Sequence, residues 1–359
     1  MTNSLENPLP YSLYLRDEVN PFELRTPIIP SDIKKLIDFG YKIFIQSSNK
    51  RIYSDEEYIN IGVIITIKPW YHADFAHSLI LGLKEPDNLE KSNTHIHIYF
   101  AHSYQQQTGS EKILSLFKKT SSILYDLEYF TGINNSRLVT FGFWAGVVGC
   151  SIGILQCLNI ENSLPSISNL KPWLSLENLI LHIDKFINQT KTTFKFKFKS
   201  QPMEIGVIGP NGNCGKGACY VLDKLKLSYN KYTKYSDKKS IRNLNILINC
   251  IKLSQTDNEI WFDENTDFSN PIVISDISCD YTKPNNPIKI YNHGTTWENP
   301  VFVYKKNAHI ISIDNLPSLL PKESSDDFSS NLLPLLKSYN TDTEKIWEKN
   351  LLLFNEKTY

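Results

Sequence analysis

Three glycines at a fixed spacing form the most chemically informative segment of the chain. Gly209, Gly212 and Gly215 lie in MEIGVIGPNGNCGKGACYVLDKL (203–225), where an apolar strand is followed by a turn and a helix. Glycine permits positive φ and lets the backbone approach a pyrophosphate, which the helix N-terminus then attracts. The spacing is Gly-x-x-Gly-x-x-Gly rather than the usual Gly-x-Gly-x-x-Gly. The segment predicts a dinucleotide site, and a tight turn without ligand is the alternative.

A carboxylate about 20 residues beyond such a turn holds the ribose hydroxyls of the nucleotide. Asp237 lies at that distance, in KYSDKKS. Lys238 and Lys239 follow it and could instead attract a 2′-phosphate. The sequence therefore predicts a dinucleotide cofactor as a class, and it leaves the choice between NAD and NADP open.

Two further sets of residues are the histidines, which could bind a metal, and the cysteines, which could form disulfides. His95 and His97 alternate on one apolar segment, a spacing that also suits ordinary strand side chains, and we expect no metal there. The six cysteines contain no C-x-x-C pair, which favours thiols in a reducing compartment over a disulfide framework.

The elements around these residues alternate between strands and helices, which favours mostly parallel sheets covered by helices. In the first half, Ser31-Asp32 and Ser110-Glu111 are expected to begin helices, and Ser175 to cap a third. In the tail, Thr341 is expected to cap a helix, with Glu344 completing a capping box. The predicted strands are 12–16, 41–46, 59–67, 79–83 and 95–101, and later 245–251, 271–278, 300–304 and 308–313.

One uncharged segment, 141–158, is long enough to be considered for a membrane span. Its glycines at 142, 146, 149 and 153 fall at helical spacing on one face, which lets another backbone approach closely. No basic cluster flanks it, so we expect a buried inter-domain helix.

Composition excludes several classes of partner. The 359 residues are 41% hydrophobic and 21% charged, as in globular proteins, with 38 basic and 38 acidic residues. Such a balance supplies no field toward nucleic acid or membrane, so small molecules are the expected partners. We see no signal, transit or peroxisomal address and expect a cytoplasmic protein.

A series of segments in chain order resembles fungal saccharopine dehydrogenase, a NAD-dependent, L-lysine-forming enzyme of the alanine-dehydrogenase-like fold group. ISIDNLPSLLP (311–321) is the most specific of them. The others are RDEVNPFELRTPIIP (16–30), LILGLKE (79–85), IYFAHSY (98–104), LYDLEYF (124–130), FGFWAG (141–146), NGNCGKG (211–217), INCIKLS (248–254) and SDISCDYTKPNNPIKIY (275–291).

The resemblance implies an α/β fold of two Rossmann-like domains with mostly parallel sheets and an inter-domain cleft. Residues 1–140 with 321–359 would form the substrate-binding and catalytic domain, and 141–320 the dinucleotide-binding domain. The implied reaction, the last step of lysine biosynthesis through α-aminoadipate, converts saccharopine, NAD⁺ and water to L-lysine, 2-oxoglutarate and NADH. A monomer is also implied.

The resemblance also assigns residues. Lys84 and His102 match the catalytic pair, whose proton transfers need groups that titrate near neutral pH. Three acidic residues beside this pair would tune its protonation: Glu23, Glu85 and Glu128. Two arginines and one aromatic residue would contact the substrate: Arg25, Arg137 and Phe141. Positions that would hold the nucleotide are Gly209, Gly212, Asn213, Cys214, Gly215, Ser236, Asp237, Cys250 and Asp314.

Four positions depart from the family pattern. Gln105 replaces a lysine that helps to bind a carboxylate, and Asn213 replaces an arginine beside the pyrophosphate. Ser236 aligns with the ribose-binding aspartate, and Ser136 replaces a first arginine. These changes leave open a diverged, non-catalytic nucleotide-binding paralogue, or a related amino-acid dehydrogenase. Lys84 with His102 favours catalysis, and Arg25 with Arg137 favours a multi-carboxylate substrate.

Overall fold

The computed structural model describes residues 12–104, 109–193, 203–237, 239–251 and 259–359, and of 191–193 it describes the backbone alone. The chain divides into two compact units, each α/β. Unit 1 consists of Met1–Thr140 and Ser324–Tyr359, and unit 2 of Phe141–Glu323.

Unit 1 contains one six-stranded parallel sheet. Its strands lie in the order β3-β2-β1-β4-β5-β6, the order found in dinucleotide-binding folds. They are β1 (Ser12–Leu15), β2 (Lys42–Gln46), β3 (Ile64–Thr66), β4 (Leu79–Leu81), β5 (Ile96–Tyr99) and β6 (Ile123–Asp126). The helices are α1 (Pro30–Asp38), α2 (Asp55–Ile59), α3 (Ser110–Thr120) and α8 (Ile346–Thr358), with most of α7 (Pro321–Ser338).

The C-terminal helices of unit 1 dock through side-chain hydroxyls and amides. Ser325 Oγ accepts a hydrogen bond from the Thr26 backbone N–H at 3.0 Å. Ser329 Oγ accepts one from the Ile29 N–H at 3.0 Å and donates to Asp32 at 2.6 Å. The Asn350 side chain, on α8, bonds both backbone groups of Asp126 at the end of β6.

Unit 2 is built around a second six-stranded sheet. Its order is β11-β12-β10-β9-β7-β8, and only β11 runs antiparallel to its neighbour. The strands are β7 (Ile205–Ile208), β8 (Asn230–Tyr232), β9 (Ile246–Asn249), β10 (Ile272–Asp276), β11 (Phe302–Tyr304) and β12 (Ala308–Ile311). Its helices are α4 (Gly142–Glu161), α5 (Leu176–Thr193) and α6 (Asn213–Lys224). The two mostly parallel sheets confirm the predicted fold class.

Helix α4 is the apolar segment noted in the sequence. By length and composition it could cross a membrane, but 72% of its apolar window is buried inside the protein. Within unit 2 it packs against α5, α6 and the sheet, and its residues belong to the main core of that unit. The predicted burial of this helix is confirmed.

Its glycine face allows an unusually close crossing with α6. A methyl group added at Gly146 would lie 1.9 Å from the Cys214 carbonyl oxygen, and one at Gly217 would lie 1.9 Å from the Phe143 carbonyl oxygen. The two helices therefore meet backbone to backbone, as the glycine spacing predicts.

Several predicted boundaries were wrong for local reasons. Helix α1 begins at Pro30, whose fixed φ suits the first helical position, so Ser31 is not its cap. Before α8 the Asp342 carboxylate, rather than Thr341, accepts from the N–H groups of Trp347 and Glu348. The strand predicted at 59–67 is only the short β3. The first residue of that predicted strand, Ile59, is instead the last residue of α2, which Ser54 begins through a capping box. The starts of α3 at Ser110 and of α5 after the Ser175 cap are confirmed.

Candidate functional site

Polar residues collect at the carboxyl ends of four neighbouring strands in unit 1. Arg16 follows β1, Lys84 follows β4, His102 follows β5 and Glu128 follows β6. The carboxyl edge of an open parallel sheet, at the point where strand order reverses, is the usual place for a ligand. Here the reversal lies between β1 and β4, so Lys84 stands beside it.

The backbone at Lys84 is held by a buried ion pair. Glu18 accepts from the Leu83 N–H at 2.6 Å and from the Lys84 N–H at 3.1 Å, and Arg16 Nη1 lies 3.2 Å from its second oxygen. Gly82 is required beside them, because a methyl group there would lie 2.3 Å from the Arg16 guanidinium. Arg16 and Glu18 are therefore structural supports of the Lys84 turn that the sequence reasoning missed.

His102 is oriented by a carboxylate that follows the next strand, β6. Its Nδ1 lies 2.8 Å from Glu128 Oε2, and the other Glu128 oxygen lies 3.6 Å from Arg137 Nη1. His102 has a φ of 51°, in the left-handed region that non-glycine residues rarely adopt and that recurs at functional sites. Its side chain is 47% exposed, whereas that of Glu128 is 11% exposed. The arrangement presents an oriented imidazole to solvent or substrate.

Asp126, at the end of β6, holds the backbone on both sides of this pair. Its Oδ1 accepts from the Glu128 N–H at 2.9 Å and from the Ala101 N–H at 3.3 Å. The side chain is fully buried, and this burial raises the pKa of its carboxyl from 3.8 to about 6, against the lowering effects of these two N–H groups and of His102. A polar residue ending a buried strand was the available signal for it.

The raised pKa makes the stability of the protein depend on Asp126 and pH. In the unfolded chain the carboxyl ionises near its ordinary pKa, whereas in the folded protein it ionises near 6, so its favourable contribution is complete below about pH 4 and is lost as pH rises through 6. The loss amounts to roughly 3 kcal/mol. We expect Asp126→Asn to flatten the unfolding free energy over this window in urea titrations at several pH values. An unchanged slope would contradict this assignment.

The other acidic and basic residues predicted in unit 1 are placed as follows. Both Glu23 oxygens bind Arg25, at 2.7 Å to Nε and 2.6 Å to Nη2, and both side chains are buried. The Glu85 side chain is exposed to solvent, but neighbouring atoms desolvate its carboxyl in part and raise its pKa. The charges of Lys112 and Arg16 act in the opposite direction and lower this pKa. Glu23 thus contacts the predicted substrate arginine, and Glu85 follows Lys84 directly.

In unit 2 the glycine turn has the geometry that a phosphate needs. Gly209 has a φ of 76°, and a methyl group at Gly215 would lie 2.1 Å from the Gly209 carbonyl oxygen. Gly212 precedes α6 and offers no side-chain cap, and a methyl group there would meet nothing closer than 3.7 Å. The first N–H groups of α6 thus border open space, beginning at the exposed Asn213. The residues fit a dinucleotide pyrophosphate.

Two thiols meet at this turn, Cys214 in the first turn of α6 and Cys250 directly after β9. The Cys250 N–H donates to the Ile208 carbonyl at 3.0 Å, where β9 ends beside β7. A hydrogen bond with Cys214 and then burial raise the pKa of the Cys250 thiol well above its ordinary value. The raised pKa keeps the Cys250 thiol in its neutral form, packed against Cys214 beside the nucleotide turn.

The residues predicted to bind ribose lie beyond the end of β8. Ser236 Oγ accepts from the Thr233 N–H at 2.9 Å, and the exposed Asp237 carboxylate accepts from the Lys239 N–H at 2.9 Å. Two positions weighed in the sequence, Gln105 and Lys238, lie outside the described residues. Of the remaining predicted residues, Phe141 precedes α4 and is half-buried, and Asp314 is exposed in a turn after β12.

A buried acidic network at the end of β10 was missed. Asp276 accepts from Ser278 at 2.6 Å and from Asn249 at 2.9 Å, and the Tyr291 hydroxyl also donates to it. Burial raises the pKa of the Asp276 carboxyl, and these three hydrogen bonds oppose that effect. The network fixes the carboxyl ends of β9 and β10 next to the glycine turn. An acid ending the apolar run PIVISD was the signal in the sequence.

Comparisons with known proteins agree with this geometry. Residues 14–148 match the model of the alanine dehydrogenase/PNT N-terminal domain. The chain is 34% identical to saccharopine dehydrogenase [NAD(+), L-lysine-forming] of Schizosaccharomyces pombe, covering 95% of this chain and 97% of that protein. The corresponding protein of Yarrowia lipolytica is 33% identical, with 97% of both chains covered. The chain belongs to the saccharopine dehydrogenase family.

The fold of this saccharopine dehydrogenase family member is shared more widely. A solved L-alanine dehydrogenase superposes with a TM-score of 0.68 at 12% identity, covering 96% of this chain and 94% of that one. At that identity the likeness concerns the fold alone. The family predicted from the sequence motifs is confirmed.

Proposed function

We propose that this chain is a NAD-dependent saccharopine dehydrogenase that forms L-lysine. The observation that carries the proposal is the edge of the unit 1 sheet, where Lys84 and the Glu128-oriented His102 end adjacent strands. The full-length similarity to relatives that bear this name supports it. The glycine turn before α6 would hold the dinucleotide through Gly209, Gly212 and Gly215.

Proton transfers are the part of this reaction that unit 1 would perform. When bound, NAD⁺ would supply a hydride acceptor for the glutamate α-carbon of saccharopine. Lys84 would take the proton of the secondary amine, and His102 would exchange protons with the water and the carbinolamine during imine hydrolysis. Glu128 would hold the imidazole in a fixed orientation through its contact with Nδ1.

Substrate recognition would use planar cations. Saccharopine carries three carboxylates, and the guanidinium fork suits each of them. Arg137, 38% exposed beside Glu128, would bind one carboxylate near His102. Arg25, buried against Glu23, would be held in a fixed orientation for another.

The experiment that tests this function follows NADH oxidation by purified protein with L-lysine and 2-oxoglutarate, omitting each in turn. Oxidation that requires both substrates is expected. A folded protein that binds NADH but shows no turnover with lysine would contradict the proposal. Replacing L-lysine by ammonia or L-alanine tests the reading as a related amino-acid dehydrogenase.

A further inference from the structure

A pocket of about 360 Å³ lies between the glycine turn and the end of β8 in unit 2. Residues 209–212 line one side of it and residues 233–235 the other. In a dinucleotide fold this position, beside the turn and at the tip of the neighbouring strand, receives the adenosine ribose.

Strand register identifies the residue that takes the position of the ribose acid. Ile208 pairs with Tyr232, and the Gly209 N–H donates to the Tyr232 carbonyl at 3.0 Å. Thr233 is therefore the first residue beyond β8, directly beside the turn. Its hydroxyl accepts from the Tyr235 N–H at 3.3 Å. The residue at the tip of β8 is thus a threonine, and Ser236 and Asp237, the two residues predicted to bind ribose, follow it by three and four positions.

The described residues that line this pocket include no carboxylate. Asp237 lies beyond them, with its Oδ1 accepting from the Lys239 N–H. Among the described residues of the lining, Lys234 carries the one charged side chain. It is exposed, and its Nζ lies 4.9 Å from the centre of the Tyr235 ring. Tyr235 is 86% exposed and offers a flat apolar face. The pocket therefore combines an aromatic surface, hydroxyl and amide groups, and a cation.

We propose that this pocket binds a 2′-phosphorylated adenosine, with Lys234 as the residue that determines the preference, so that the chain uses NADPH as well as NADH. An acid at the strand tip repels a 2′-phosphate, whereas an ammonium group attracts it. The Tyr235 ring would pack against the adenine base. This inference rests on the proposed dinucleotide site and concerns its choice of nucleotide.

Binding of two small probes tests the preference without turnover. Adenosine 2′,5′-bisphosphate and 5′-AMP differ only in the 2′-phosphate, and calorimetry on the full chain measures both. We expect the bisphosphate to bind roughly two- to fivefold more tightly at low ionic strength, which is the range for an ion pair at an exposed site. The advantage should shrink as salt is added, because salt screens exposed charges. Equal binding of the two probes would overturn the proposal.

Substitutions in the pocket locate the effect. Lys234→Ala should abolish the advantage of the bisphosphate, and Thr233→Asp should reverse it in favour of 5′-AMP. Lys231→Ala is the matched control, because Lys231 is an exposed lysine on β8 outside the pocket lining, and it should change neither affinity. A Lys234→Ala protein that keeps the full preference would refute the assigned role of Lys234.

Turnover with NADPH separates this inference from the proposed function. NADPH oxidation that requires lysine and 2-oxoglutarate, and weakens in Lys234→Ala, supports both. A preference for the bisphosphate in a protein without turnover supports the nucleotide inference and contradicts the proposed reaction. Turnover with NADH alone, together with equal binding of the two probes, supports the reaction and overturns the nucleotide inference.

Discussion

Replacing Lys84 by methionine should lower turnover by about 10²- to 10⁴-fold, the usual contribution of a positioned acid–base group. Methionine keeps the length and apolar stem of the side chain but cannot carry a proton. The Lys84 backbone N–H is held by Glu18, so the turn after β4 should remain in place. NADH affinity should stay within about twofold of the unsubstituted protein, since loss of a proton-transfer group removes no uniform binding energy.

The control for this experiment is Lys42→Met. Lys42 is exposed at the amino-terminal start of β2, at the edge of the same sheet opposite to Lys84. Its replacement should leave turnover unchanged. A parallel loss of NADH affinity in Lys84→Met would show that Lys84 serves the nucleotide rather than the reacting amine.

The second large effect is expected on stability, at the crossing of α4 and α6. An alanine at 146 would place its methyl group 1.9 Å from the Cys214 oxygen and 2.9 Å from the Ala218 nitrogen. Both are backbone atoms of α6, which cannot rotate away as a side chain can. We expect Gly146→Ala to lower the free energy of unfolding by about 2 kcal/mol or more, even after alanine's better helix propensity.

Gly153→Ala on the same helix provides the comparison. Its methyl group would meet Ser275 and Ile246 side chains at 3.4 and 3.5 Å, which are ordinary contacts. Because alanine favours helix over glycine by up to about 1 kcal/mol, this variant should be as stable as the unsubstituted protein or more so. Urea unfolding of both variants measures the difference. Equal midpoints would show that α4 and α6 do not approach this closely.

Local chemistry explains how much of the structure the sequence could predict. The turn at 209–215 was predictable because positive φ and backbone contact leave glycine as the main choice. Strands β7, β9 and β10 were predictable because burial on both faces makes them continuously apolar. Strands β8 and β6 were missed. The first reads only Asn-Lys-Tyr and is specified by its hydrogen bonds to β7 rather than by its own residues.

In the candidate site, too, some residues could be predicted from the sequence and others could not. Lys84 and His102 were predicted from family motifs, since isolated lysines and histidines carry no signal of their own. Glu18 and Asp126 were not found, because their role lies in bonds to backbone N–H groups of distant strands. The strand-tip residue Thr233 required the register of β8 against β7, which spacing along the chain cannot supply.

Along the sequence, unit 2 is inserted between the two segments that form unit 1, and this order determines which unit can fold first during synthesis. The amide of Asn350 closes the end of β6, and Ser325 and Ser329 satisfy backbone groups near Thr26 and Ile29. These partners emerge from the ribosome only after the whole of unit 2 has been translated. Unit 1 therefore cannot complete its fold until α7 and α8 have been synthesised, and until then β6 lacks its contact with Asn350. Unit 2, which is inserted into unit 1 along the sequence, is the first unit whose residues are all available.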